Sequence, residues 1–221
     1  TGNWNTALGT NAMYANTTAD SNCSVGYHSM RQNTIGANNS AYGNGSLFKN
    51  TTASNNVAIG AQSLRTQSYS NGGAVWSSYN VAVGYAALFS NQPTATANGN
   101  HNIAVGTNAL YSNTIGSSNL AIGTNALTNN TEASHNVAVG QGALNLMSFA
   151  NGGTEYDSYN TAVGYQALYS NQPTSTTDGY QNTAVGGLSM QTNTTGYNNT
   201  GTYNHGTTYK TGDTVKYGGN N

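Results

Sequence analysis

The chain has 221 residues, of which 5 % are charged, and a net charge of -1. That balance leaves no electrostatic footprint for nucleic acid or for an anionic membrane surface. No run of 18 apolar residues is present to span a bilayer, so membrane insertion is not expected, and the single Cys23 has no partner for an internal disulfide.

Abundant Gly, Asn, Ser and Thr would suggest a disordered tract, but a strict frame argues against it. Asn102-Ile103-Ala104-Val105-Gly106 leads on to Ala109-Leu110, and Asn160-Thr161-Ala162-Val163-Gly164 leads on to Ala167-Leu168. Such self-similarity marks a repeat architecture. Units open at Asn5, Asn22, Asn39, Asn56, Asn80, Asn102, Asn119, Asn136, Asn160, Asn182 and Asn199, in steps of 17 residues broken by steps of 24 and 22. From Asn22 onward the whole pattern recurs after 80 residues, so a four-unit block has been duplicated.

Within each unit the second to fourth residues form a short run bounded by Asn and Gly, which reads as a strand. Alternation along it puts the second and fourth residues on a Val/Ile-rich face and the third, almost always Ala, on the other. The fifth residue is Gly in the first ten units, and the ninth is Leu or Met, assigned here to a second short strand after a bend at that Gly. A unit of 17 residues is too short for a strand with a crossover helix but suffices for one turn of a parallel β-solenoid. Eleven such turns, about 4.8 Å apart, make a rod on the order of 50 Å long.

In-register stacking predicts structural ladders. Asn56, Asn80, Asn102, Asn119, Asn136 and Asn160 form a column of amides, with a turn-residue role as the plainer reading, and Gly60, Gly84, Gly106, Gly123, Gly140 and Gly164 form a second column. Cys23 occupies a second-position slot and reads as a small buried hydrophobe. A solenoid this thin encloses little, so its Val/Ile face calls for cover by other copies, and a homo-oligomer is expected.

The long steps carry matching insertions. Ser70-Asn71-Gly72-Gly73 through Ser78-Tyr79-Asn80 is answered by Ala150-Asn151-Gly152-Gly153 through Ser158-Tyr159-Asn160. They supply the candidate binding residues: Tyr69, Trp76 and Tyr79 in the first, and Phe149, Tyr156 and Tyr159 in the second. Loops on a rigid scaffold often carry recognition, and aromatic faces suit sugar rings. The alternative is that these rings pack against the neighbouring coil or chain. The repeat region is placed at residues 1–199, and residues 200–221 read as an irregular tail, cap or donated strand, with Thr214-Val215-Lys216-Tyr217 as its strand.

Little points to catalysis. Glu155 and Asp157 are spaced as a carboxylate pair for glycoside cleavage, but the duplicated block has Val75 and Ser77 there, which favours a solvated loop. His28, His101, His135 and His205 fall at different frame positions without metal-ligand spacing. The expectation is a non-enzyme with no catalytic residues, metal or cofactor.

The stretch Asn160 to Asn171 closely resembles the repeats of phage tail-fibre and related tail-fibre-domain proteins, and Asn56-Val57-Ala58-Ile59-Gly60 resembles the head repeats of trimeric autotransporter adhesins. The resemblance spans roughly residues 3 to 200. It implies a left-handed parallel β-roll, three associated chains and a role in surface attachment. No secretion-signal segment opens the chain, which reads as a mature product or a piece of something longer. The functional expectation is an extracellular, cell-surface or virion fibre segment that meets surface glycans. The rival is an extracellular filament subunit that stacks end to end.

Overall fold

The computed structural model describes residues 2–202 and 214–215. Among them there is no α-helix. The strands are β1 (Thr6–Leu8), β2 (Cys23–Val25), β3 (Ser40–Tyr42), β4 (Ala53–Ser54), β5 (Val57–Ile59), β6 (Trp76–Ser77), β7 (Val81–Val83) and β8 (Ile103–Val105). They continue as β9 (Leu120–Ile122), β10 (Ala133–Ser134), β11 (Val137–Val139), β12 (Tyr156–Asp157), β13 (Thr161–Val163), β14 (Thr183–Val185), β15 (Thr200–Gly201) and β16 (Thr214–Val215).

Twelve of these build one parallel sheet in the order β1-β2-β3-β5-β7-β8-β9-β11-β13-β14-β15-β16. Each repeat contributes one strand and returns to lay the next beside it, which is the arrangement of a parallel β-solenoid. The register never slips: Ala104 lies opposite Ala121, Ala121 opposite Ala138 and Ala138 opposite Ala162. The last step contains an insertion, so the extra residues bulge outward and leave the pairing intact. Thr214–Val215 pairs in parallel with β15; the remainder of the expected tail strand, Lys216 and Tyr217, lies outside the described residues.

The strand face that carries Ala points inward. Ala58, Ala82, Ala104, Ala121, Ala138, Ala162 and Ala184 are fully buried, while the Val and Ile on either side of them face outward. Cys23 follows the same alternation. It sits half-buried on the outer face with its Sγ 3.0 Å from the Tyr42 hydroxyl, so it is not the core residue expected from sequence.

Among the described residues, no second strand lies opposite the Ala face. The ninth-position residues are turn residues in the left-handed region: Leu110 has φ 52°, Leu127 φ 51° and Leu144 φ 51°. The expected strand is replaced by a corner that buries each Leu or Met in one core with the inward Ala column. Their N–H groups still bond along the rod, from Leu110 to Ala126 O at 3.0 Å and from Leu127 to Ala143 O at 2.9 Å. Each fully buried Leu contributes roughly 1.5–3 kcal/mol of apolar burial. Packing therefore holds a backbone conformation that Leu alone would avoid.

The fifth-position Gly is required twice over. Gly123 has φ 127°, and a Cβ there would lie 2.7 Å from the backbone carbonyl of Gly140 in the next coil.

The interior is sewn by two amide columns. Each lead Asn side-chain oxygen accepts the backbone N–H of the next lead Asn, in ten successive bonds of 2.8–3.1 Å from Asn5 to Asn199. The expected side-chain amide ladder is present at three steps, where Asn56, Asn119 and Asn136 donate their amides to the preceding lead Asn at 3.0–3.2 Å, and the side-chain-to-backbone bonds run through every step. A second column runs Asn33, Asn50, Gln67, Asn91, Asn113, Asn130, with each amide donating to the preceding side chain at 2.7–3.4 Å. The columns meet at shared carbonyls: Gly116 O accepts from Asn102 at 2.8 Å and from Asn113 at 2.9 Å. Buried amides satisfied in this way lock the coil closed on itself.

Candidate functional site

The two insertions leave the coil wall and return as extra strands. β6 pairs with β4, and β12 pairs with β10, making two small parallel sheets. In the first insertion the chain reverses at Asn71–Gly73, and Trp76 comes back to lie only 6 % exposed. Its ring meets Tyr69 edge-on, with centroids 5.6 Å apart, and its indole N–H donates to Tyr69 O at 3.3 Å. The second insertion repeats this: Tyr156 is 8 % exposed, lies edge-on to Phe149 at 5.5 Å and donates its hydroxyl to Phe149 O at 3.4 Å.

These four candidate contact residues thus form the small cores of their own loops. Burial removes Trp76 and Tyr156 from direct contact with a partner. Burial also pushes the Tyr156 phenol pKa well up, helped by the Glu132 and Asp178 carboxylates.

The second loop is tied down more firmly than the first. Buried Glu132 accepts the N–H groups of Asn151 and, at 2.8 Å, of Gly153, and Ser134 donates its hydroxyl to Glu155. In the first loop Thr52 stands in the place of Glu132 and bonds Tyr69 O at 3.3 Å. The acid at position 155 is therefore an anchor, and Asp157 is engaged separately by His135 and Tyr159.

The remaining candidates, Tyr79 and Tyr159, are 50 % and 49 % exposed. Both stand directly before a lead Asn, as do His101, Ser118 and His135. All five share left-handed backbone, with φ of 50°, 55°, 55°, 61° and 50° for Tyr79, His101, Ser118, His135 and Tyr159. The expectation that the histidines occupy unrelated positions is corrected here: His101 and His135 lie in one column with the tyrosines. Tyr79 stacks on His101 at 5.1 Å and His135 on Tyr159 at 5.0 Å, with interplanar angles of 28° and 22°.

Polar contacts brace the second stack. His135 Nδ1 lies 2.8 Å from Asp157 Oδ1, and the Tyr159 hydroxyl donates to Asp157 Oδ2 at 3.0 Å, which raises the Tyr159 pKa. In the first stack His101 Nδ1 lies 3.2 Å from Asn100 Oδ1.

A separate edge carries Arg31 and Arg65 against aromatic faces, with Arg31 5.7 Å from the Tyr14 ring and Arg65 5.0 Å from the Phe48 ring. Among the described residues no group of three or more His, Cys, Asp or Glu is placed to hold a metal ion, and no helix is long and apolar enough to cross a membrane.

No family model, curated protein or solved structure matches this chain.

Proposed function

We propose that this chain is a structural and adhesive segment of an extracellular fibre, carried on a cell surface or virion. The in-register coils set length and stiffness, and the insertion side meets a surface glycan. The observation that carries this reading is the pair of exposed Tyr–His stacks held on a continuous backbone ladder. Stiff aromatic planes at fixed spacing suit the apolar faces of sugar rings, and rigidity lowers the entropy lost on contact.

Self-association belongs to the same reading. The outer strand face presents Ile59, Ile122 and Val185 in one column along the rod and Ile103 in the column beside it, each about two-fifths exposed. A face of that kind is suited to a sister chain, and a left-handed homotrimeric roll is the assembly proposed.

Two measurements test this. Retention of the purified chain on a glycan array, lost in Tyr79→Ala and Tyr159→Ala together, supports the contact role; no retention by the unaltered chain refutes it. Sedimentation of the unaltered chain as a trimer, and of an Ile59→Asp/Ile122→Asp variant as a monomer, supports the assembly. Long continuous filaments in electron micrographs would support the end-to-end subunit instead.

A further inference from the structure

In the column that precedes the lead asparagines, one rung without a ring lies between two aromatic pairs. Tyr79 and His101 occupy adjacent coils and stack, as do His135 and Tyr159. Between the two pairs comes Ser118, whose N–H bonds Asn100 O at 3.0 Å while His135 N–H bonds Ser117 O at 3.1 Å, so it holds the coil between the two histidines. Its backbone matches that of its neighbours, yet its exposed side chain is too small to join the stack.

With coils spaced at about 4.8 Å, His101 and His135 stand roughly 10 Å apart across this gap. A flat ring entering it would meet each imidazole at about 5 Å, the separation already found within both flanking pairs.

We propose that the gap over Ser118, walled by His101 and His135, is a subsite for one neutral pyranose ring of a saccharide chain. The inference rests on the glycan-contact reading above and deepens it. The ring's axial C–H bonds carry partial positive charge and meet the negative π-faces on either side. Its edge hydroxyls face the Ser118 hydroxyl at the floor, which has no hydrogen bond within the described residues. The one local carboxylate, Asp157, is already engaged by His135 and Tyr159. The walls therefore favour an uncharged, hydroxylated ring over an ion. On the first side of Tyr79 the aromatic run gives way to Asn55, whose amide is held by Ser77 at 2.8 Å, and the gap over Ser118 lies between two fixed stacks.

The test fills the slot. Tyr at position 118 suits the backbone, since Tyr79 and Tyr159 hold nearly the same φ. The probe is an array of neutral hexose and N-acetylhexosamine oligosaccharides, read against the unaltered chain, Ser118→Tyr, His101→Ala and the exposed loop-tip control Thr154→Ala. Matching circular dichroism and melting temperature establish that each variant folds. The expected result is retention by the unaltered chain and by Thr154→Ala, with a loss of about tenfold or more in Ser118→Tyr and His101→Ala.

Undiminished retention by Ser118→Tyr, together with loss in Tyr79→Ala/Tyr159→Ala, overturns the slot but leaves the glycan-contact reading standing. No retention of any saccharide by the unaltered chain overturns both. Binding of free indole that Ser118→Tyr abolishes, without saccharide retention, assigns the gap to an aromatic side chain and overturns the sugar.

Discussion

The side-chain oxygen of Asn119 accepts the backbone N–H of Asn136 at 3.0 Å, one coil further along the rod. The amide of the same Asn119 donates to Ala133 O at 2.9 Å within its own coil. One residue thus ties successive coils together and also closes its own. Ala133 O receives a second amide, from Asn130 at 2.9 Å, which joins the two columns of buried amides. Local closure and stacking are therefore coupled through the same few atoms.

Replacing Asn119 by Ala should be expensive. It leaves the Asn136 N–H without its acceptor and removes one of two donors to Ala133 O, all in a fully buried setting. Unsatisfied buried polar groups cost about 1–3 kcal/mol each, so a loss of roughly 2–4 kcal/mol is expected. Urea midpoints measure it. The exposed Thr107→Ala is the reference and should change stability by less than about 0.5 kcal/mol.

Two glycines with positive φ should respond very differently to Ala. At Gly72, φ is 62° and nothing lies within 4 Å of an added Cβ, so Gly72→Ala carries only the left-handed backbone penalty of about 1 kcal/mol. At Gly123 the added Cβ meets the backbone of Gly140 at 2.7 Å. Relief would require the two coils to separate and break the ladder between them. A loss above roughly 4 kcal/mol, or failure to fold, is expected there. Thermal melts of the two variants side by side decide it; equal melting temperatures would show that close stacking does not fix this Gly.

The parts of this fold that were legible in the sequence are those that repeat without interruption. The lead Asn, the inward Ala and the fifth Gly each recur in one frame position, so their columns could be read from spacing. The corner at Leu110 was not legible, because Leu carries no left-handed preference and an apolar residue after a Gly bend reads as strand. The second amide column was hidden by Gln67 and Met147, which interrupt the asparagines.

The shared column of His101 and His135 was missed for a geometric reason. Counted from the preceding lead Asn they stand 22nd and 17th, because an insertion lengthens one unit. Counted back from the following lead Asn they coincide, and coil closure is set from that side. The burial of Trp76 and Tyr156 depended on the loops folding back onto β4 and β10, which composition does not reveal.

Alkaline pH should destabilise the rod through Tyr156. Burial, with Glu132 and Asp178, raises its phenol pKa above the ordinary 10.0. The protonated phenol is the form the folded state favours. Its contribution is therefore complete below about pH 10 and is lost as pH rises from there toward the folded value, with a slope approaching about 1.4 kcal/mol per pH unit. Tyr156→Phe keeps the ring packing but has no proton to lose. Its stability should fall less steeply above pH 10 than that of the unaltered chain, as read by urea midpoints across that range. Parallel slopes would place the alkaline sensitivity elsewhere.

The left-handed corner at Leu144 makes a prediction that separates backbone strain from volume. Leu144 is fully buried with φ 51°, and Met30 and Met190 hold the equivalent corners with φ 47° and 50°. Leu144→Met keeps the volume and an unbranched Cβ, and should cost less than about 1.5 kcal/mol. Leu144→Ile also keeps the volume, and in an ordinary core would be tolerated nearly as well. Here its branched Cβ must sit at positive φ, where crowding against the backbone adds roughly 1–2 kcal/mol. The Ile variant should therefore melt distinctly below the Met variant, although both side chains fill the same space. Indistinguishable melts would mean that the corner relaxes to ordinary backbone without loss, and that the ninth position is selected by size alone.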